Sequence, residues 1–187
     1  MSVSLPENGR RFVIQLKECV QRLAQHAQEN PTTTFNEQNA DTQRFCEALE
    51  VIFLHGIKIK EFSGAIPLWA FLERLENLQP PCIPLRNTIG AVASMPSFRT
   101  PIAKARAWIR QILNAGHLDE SAMFMMAQSQ LLRAYYNPGA ILLNAEEGMG
   151  LVRLAILAPS PTITDPSKIT MLLFFTNRWR CSEAPRD

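Results

Sequence analysis

Over most of the chain apolar residues return at three- and four-residue steps, the spacing that places them on one face of an α-helix. Phe12, Val13, Leu16, Cys19, Val20, Leu23 and Ala27 form such a stripe and predict an amphipathic helix over Gly9 to Gln28, ended by Asn30-Pro31. The following NPTTTFNEQNA holds a single large apolar residue, Phe35, and reads as a connecting loop. A second helix is expected from about Asp41, with Asp41 or Thr42 as its cap. It carries Phe45, Cys46, Leu49, Ile52 and Phe53 and stops where Gly56 can turn left-handed. Pro67 suits the first turn of a third helix bearing Leu68, Trp69, Phe71, Leu72 and Leu75, and Pro80, Pro81 and Pro84 break the chain after it.

Arg86 to Met95 gives a weaker helical pattern, diluted by Gly90 and small residues, that ends before Pro96. Thr100-Pro101 is a cap followed by a first-turn proline, and it opens a helix with Ile102, Ala105, Trp108, Ile109, Ile112 and Leu113 on one face, stopping at Gly116. Leu118 to Tyr136 is helical again, in one piece or two, before Asn137-Pro138-Gly139 turns the chain. Asn144 with Glu147 resembles a capping box for a helix through Leu157. APSPTITDP cannot continue that helix, and the closing ITMLLFF fits a short strand or a terminal helix. No segment repeats and strands do not alternate with helices, so the expected fold class is all-α, a compact single-domain helical array.

Composition narrows the partners more than it names them. With 187 residues, 47% of them hydrophobic, the chain can bury a core without disulfide or metal staples. A net charge of +2 gives no bulk attraction to nucleic acid or to an anionic membrane, so any basic surface must be local. Cys19, Cys46, Cys82 and Cys181 lack the spacing of zinc ligands and read as reduced, mostly buried thiols. The N-terminus has no signal-peptide core and no apolar run is long enough to span a bilayer, which predicts a cytoplasmic protein without direct membrane insertion.

Three words of sequence carry a family resemblance: ALEVIFLHGIK (48–58), ARAWIRQIL (105–113) and LLRAYYNPGAILLNAEEG (131–148). In this order and spacing the chain resembles a RUN domain, over roughly Phe12 to Leu157. That resemblance implies an all-helical domain of about eight helices. It also implies a cytosolic adaptor that engages a GTP-bound small GTPase of the Rab, Rap or Arf-like groups, is recruited through it to endosomal or lysosomal membranes, and links them to motor or cytoskeletal adaptors. Neither catalysis nor a cofactor is implied. In some family members a basic patch on the RAW helix, with the histidine of the HG word, is associated with Arf-like GTPases. The matching positions here are His55, Lys104, Arg106 and Arg110, with Lys104 where such members often carry arginine, so the charge is kept and the planar fork lost.

The residues allow a separate reading of that patch. At about 100° per residue, Arg106 and Arg110 fall together at one edge of the apolar arc and Lys104 at the other. Against the binding role stands a structural one, in which Arg106 and Arg110 pair with Glu47 or Glu50 of the second helix and fix helix register. His55 before Gly56 likewise suits a helix C-terminus favoured by the dipole. Trp69, Trp108, Tyr135 and Tyr136 read as core aromatics whose polar tips find partners. The MFMM run at 123–126 is core filler or an adaptable partner groove. Lys58, Lys60 and Glu61 read as a solvated loop, and GMG at 148–150 lacks the context of a phosphate loop.

An enzyme would need a nucleophile, a base and an orienter brought together. Cys46 and His55 are separated by about 13 Å of helical rise, and His26 and His117 have no local acid motif. The sequence therefore predicts a non-enzymatic binding module, with a scaffold or oligomerisation domain for a motor or adaptor protein as the alternative. Residues 1–158 are expected to form the helical domain and 159–187 a divergent tail. In that tail the leucine series usual at the end of the family is lost, and Leu172, Leu173, Phe174 and Phe175 either refill the groove it leaves or leave it open.

Overall fold

The first stripe does what its spacing dictates: α1 (Glu7–Glu29) buries Val13, Leu16, Cys19, Val20, Leu23, Ala24 and Ala27 and lies along α2 (Ala40–Leu54). The computed structural model describes residues 6–29, 39–58 and 67–144, together with Gly150. Among these are seven α-helices, one 3₁₀ turn (Ile141–Leu143) and no strand, an all-α architecture as the periodicity requires. The predicted loop after Asn30, the capping box to Glu147, the helix through Leu157 and the whole of 159–187 lie outside the described residues.

α2 starts differently from expectation. Its cap is Asn39, whose side-chain oxygen accepts from the N–H of Asp41 at 2.9 Å and of Thr42 at 3.1 Å. Asp41 is thereby released to reach His26 of α1 at 3.7 Å, and the buried Thr42 hydroxyl has no hydrogen-bond partner among the described residues. At the other end Gly56 takes φ +73°, the left-handed stop that was expected. α2 buries Phe45, Ala48, Leu49, Ile52 and Phe53, while Cys46 sits half-exposed at the rim of the stripe.

α3 (Pro67–Glu76) buries all five of its predicted apolar residues. Pro80 and Pro81 fall in the connection after it, but Pro84 does not break the chain: it lies in the first turn of α4 (Ile83–Ala93), where a missing N–H costs nothing. α4 thus starts three residues earlier than its pattern suggests, held by buried Leu85, Thr88, Ile89 and Val92. α5 (Pro101–Asn114) opens as predicted, with Thr100 Oγ1 accepting from Ala103 N–H at 3.2 Å, and ends before Gly116 at φ +70°. It packs against α2, α3 and α4, and its Trp108 stands edge-on to Phe53 while donating to Thr88 Oγ1 at 3.2 Å. Ile102 departs from the expected face and is exposed.

Leu118 to Tyr136 divides at Gln128 into α6 (Leu118–Ala127) and α7 (Ser129–Tyr135). Met125 is fully buried, Phe124 and Met126 are partly buried and Met123 is exposed, so MFMM spans the edge of the core. Cys19, Cys46 and Cys82 form no disulfide among the described residues, but of these only Cys19 is buried, and burial raises its pKa. Cys181 lies outside the described residues.

Candidate functional site: the cleft between α2 and α5

The angular spacing of α5 sends its cations to two different neighbours. Arg106 Nε donates to both carboxylate oxygens of Glu50, at 2.8 and 2.9 Å, across the α2–α5 junction. Arg110, one turn later on the same edge, is exposed and makes no ion pair among the described residues. Together with Cys46, Glu47 and Ile109 these side chains line an open cleft of about 200 Å3 with an acidic wall from α2 and a basic wall from α5. Lys104 lies on the other edge, its Nζ 5.4 Å from the ring centroid of Trp69, which itself donates to Glu73 at 2.6 Å. Of the four candidate residues, then, Arg106 and Arg110 share a cleft and Lys104 faces α3.

His55 is placed elsewhere again, at the C-terminus of α2. Its Nδ1 accepts the N–H of Ile141 at 3.2 Å, and its ring meets Phe12 of α1 edge-on at 5.7 Å. Accepting through Nδ1 requires that nitrogen to be unprotonated, and burial pushes the histidine pKa below its ordinary value, which favours the same state.

That bond is one of several joining 55–58 to 133–141. Lys58 N–H donates to Tyr135 O at 2.8 Å and Asn137 N–H to Gly56 O at 2.7 Å, with Ile57 and Tyr136 bridged between them. The Lys58 ammonium donates to Arg133 O at 2.6 Å in an exposed contact, so besides meeting solvent Lys58 caps the carbonyl end of α7. Tyr136, fully buried, donates its hydroxyl to Phe53 O at 2.8 Å. Alanine 140 presses so close to Gly56 that a Cβ there would lie 2.7 Å from the Ala140 Cβ. The words HGIK and YYNPGAIL are thus the two halves of one joint, and ARAWIRQIL belongs to α5, which packs on the α2 helix that leads into it.

Comparison with known proteins agrees with this geometry. The family model described as RUN domain matches residues 44–159, well over half of the chain. The chain belongs to the RUN domain family. Human Protein RUFY3 is 30% identical over 125 residues, covering 66% of this chain and 26% of its own length. Human RUN and FYVE domain-containing protein 2 is 31% identical over 117 residues, 61% of this chain and 18% of that protein. Human RUN and FYVE domain-containing protein 1 is 28% identical over 119 residues, 63% of this chain and 16% of that protein. The chain therefore spans about a quarter or less of the length of these relatives.

No catalytic family is indicated by the RUN match. Within the described residues no group of three or more histidine, cysteine or carboxylate side chains is arranged to hold a metal ion, and no helix is long and apolar enough to cross a membrane. His26 and His117 do have carboxylates nearby, Asp41 and Glu120, each at 3.7 Å; Asp41 is distant in sequence from His26, but Glu120 stands three positions after His117, so the expectation of no local acid fails there. Glu50 lies in the word ALEVIFLHGIK and reads in the sequence only as a structural partner of the α5 arginines, while Cys46, which also lines the cleft, is signalled only by lying at the rim of an apolar stripe.

Proposed function

We propose that this RUN domain is the recognition module of a trafficking or signalling adaptor and engages the GTP-bound form of a small GTPase of the Rab, Rap or Arf-like groups. In this reading the protein works in the cytoplasm and reaches endosomal or lysosomal membranes through that partner. RUN domains as a family are linked to small GTPases, and the observation that carries the reading to this chain is the α2–α5 cleft. Arg110 is exposed without an ion pair among the described residues, and the half-exposed Cys46 lines the same cleft above the buried Ile109. A mixed surface of this kind suits a partner face that presents carboxylates among apolar side chains.

The four candidate residues contribute differently. Arg106 and Arg110 are the proposed direct contacts, Lys104 adds positive charge from the far edge of α5, and His55 acts by holding the joint that fixes α2. Membrane and motor links would follow from the partner and from the rest of a longer adaptor. The test is a pull-down of the purified protein against Rab, Rap and Arf-like GTPases, each loaded with a GTP analogue or GDP, with circular dichroism on the same sample. A GTP-selective hit on a cooperatively melting protein is expected. No hit from a sample that melts cooperatively would overturn the reading in favour of a scaffold.

A further inference from the structure

Glu50 uses only part of Arg106. Both of its oxygens accept from Nε, and neither Nη of Arg106 makes a hydrogen bond among the described residues. The pair is also asymmetric in exposure: the Glu50 side chain is 18% accessible and that of Arg106 52%. The anion is therefore the inner member, set in the wall of α2, and the guanidinium the outer one. A guanidinium offers a carboxylate two edges, one through Nε and one through the terminal Nη pair, and occupying the first leaves the second available for a bidentate contact.

We infer that Glu50 is a positioning residue: it holds Arg106 by Nε and so presents the terminal Nη fork, beside Arg110, to a carboxylate of the partner protein. This rests on the reading of the cleft as the partner site and adds how that site is made ready. Arginine carries large rotamer freedom, and a partner that must freeze it loses affinity. Here the freezing is done in the free protein. Glu50 also lowers the net charge of the cleft, so it weakens long-range attraction while sharpening the close contact, which favours selectivity for a correctly placed carboxylate over any acidic surface. Cys46, half-exposed, lines the same cleft, and the buried Ile109 lies at its floor.

The opposite role, an internal competitor that a partner must displace, predicts the opposite sign, so one variant separates them. Glu50→Gln keeps the side-chain shape and loses one of the two acceptors. In the full chain, against the GTPase that the panel selects in its GTP-analogue form, it should bind about five- to tenfold more weakly, within the usual range for coupled neighbours. The effect should vanish in an Arg106→Gln background, whereas a merely structural role would lower affinity by the same factor in both. Arg106→Lys keeps the charge but has no second donor edge, and should lose as much as Arg106→Gln. Tighter binding by Glu50→Gln, an equal loss in both backgrounds, or full affinity in Arg106→Lys each overturns the positioning role while leaving the GTPase reading in place. Binding by Glu50→Gln where the wild type binds nothing marks Glu50 as the competitor and overturns it too. If neither wild type nor Glu50→Gln binds any GTPase of the panel, the partner reading fails and this inference falls with it.

Discussion

Two adjacent residues, His55 and Gly56, hold more of the joint than their size suggests. Gly56 needs a left-handed backbone, φ +73°, and an added Cβ would lie 2.9 Å from the Ala140 Cα as well as against its side chain, so relief requires the backbone to move. Gly56→Ala should therefore destabilise by more than the about 1–2 kcal/mol of a left-handed L-residue, read as a lowered midpoint in chemical denaturation. His55 adds a pH dependence whose sign follows from its lowered pKa. As pH falls below about 6.5 the unfolded chain takes up the proton first. The stability from neutral His55 is full above that range and is lost as pH drops toward the lower folded value. Melting temperature measured from about pH 7.5 down to about pH 5 should fall less steeply in His55→Gln than in the wild type. Equal slopes would remove His55 from the account.

At the level of single helices, start signals decide whether the sequence can be read. α5 was legible because Thr100 and Pro101 agree with an apolar stripe, and its cap bond is present. Thr100→Ala should cost about 1 kcal/mol in thermal or chemical unfolding. The start of α2 was less legible because Asn39, Asp41 and Thr42 are all good caps and only packing chooses among them. Asn39→Ala should therefore cost about as much as the Thr100 change, while Thr42→Ala, whose hydroxyl has no partner among the described residues, should cost less. Pro84 reads equally well as a breaker or a first-turn residue, and the burial of Leu85 and Ile89 settles it for α4. The turn Ile141–Leu143 carries no periodicity of its own, being held by His55 from some eighty-six positions away, a contact no local pattern encodes.

Over the whole molecule, the helical class and the adjacency of Arg106 to Arg110 follow from a 3.6-residue period, and so does the separation of Lys104 from both. The redirection of His55 into a joint with 133–141 does not, because it depends on which segments meet after the chain has folded. The cleft also changes which substitution is informative. Reversing Arg106 would set two carboxylates together at Glu50 and confuse folding with binding, whereas Arg110 makes no ion pair among the described residues. The most direct measurement is the affinity of Arg110→Glu for the GTP-loaded GTPase identified by the panel, with the melting temperature recorded on the same protein. A loss of about tenfold or more with an unchanged melt is expected. Wild-type affinity in a folded Arg110→Glu protein would contradict it.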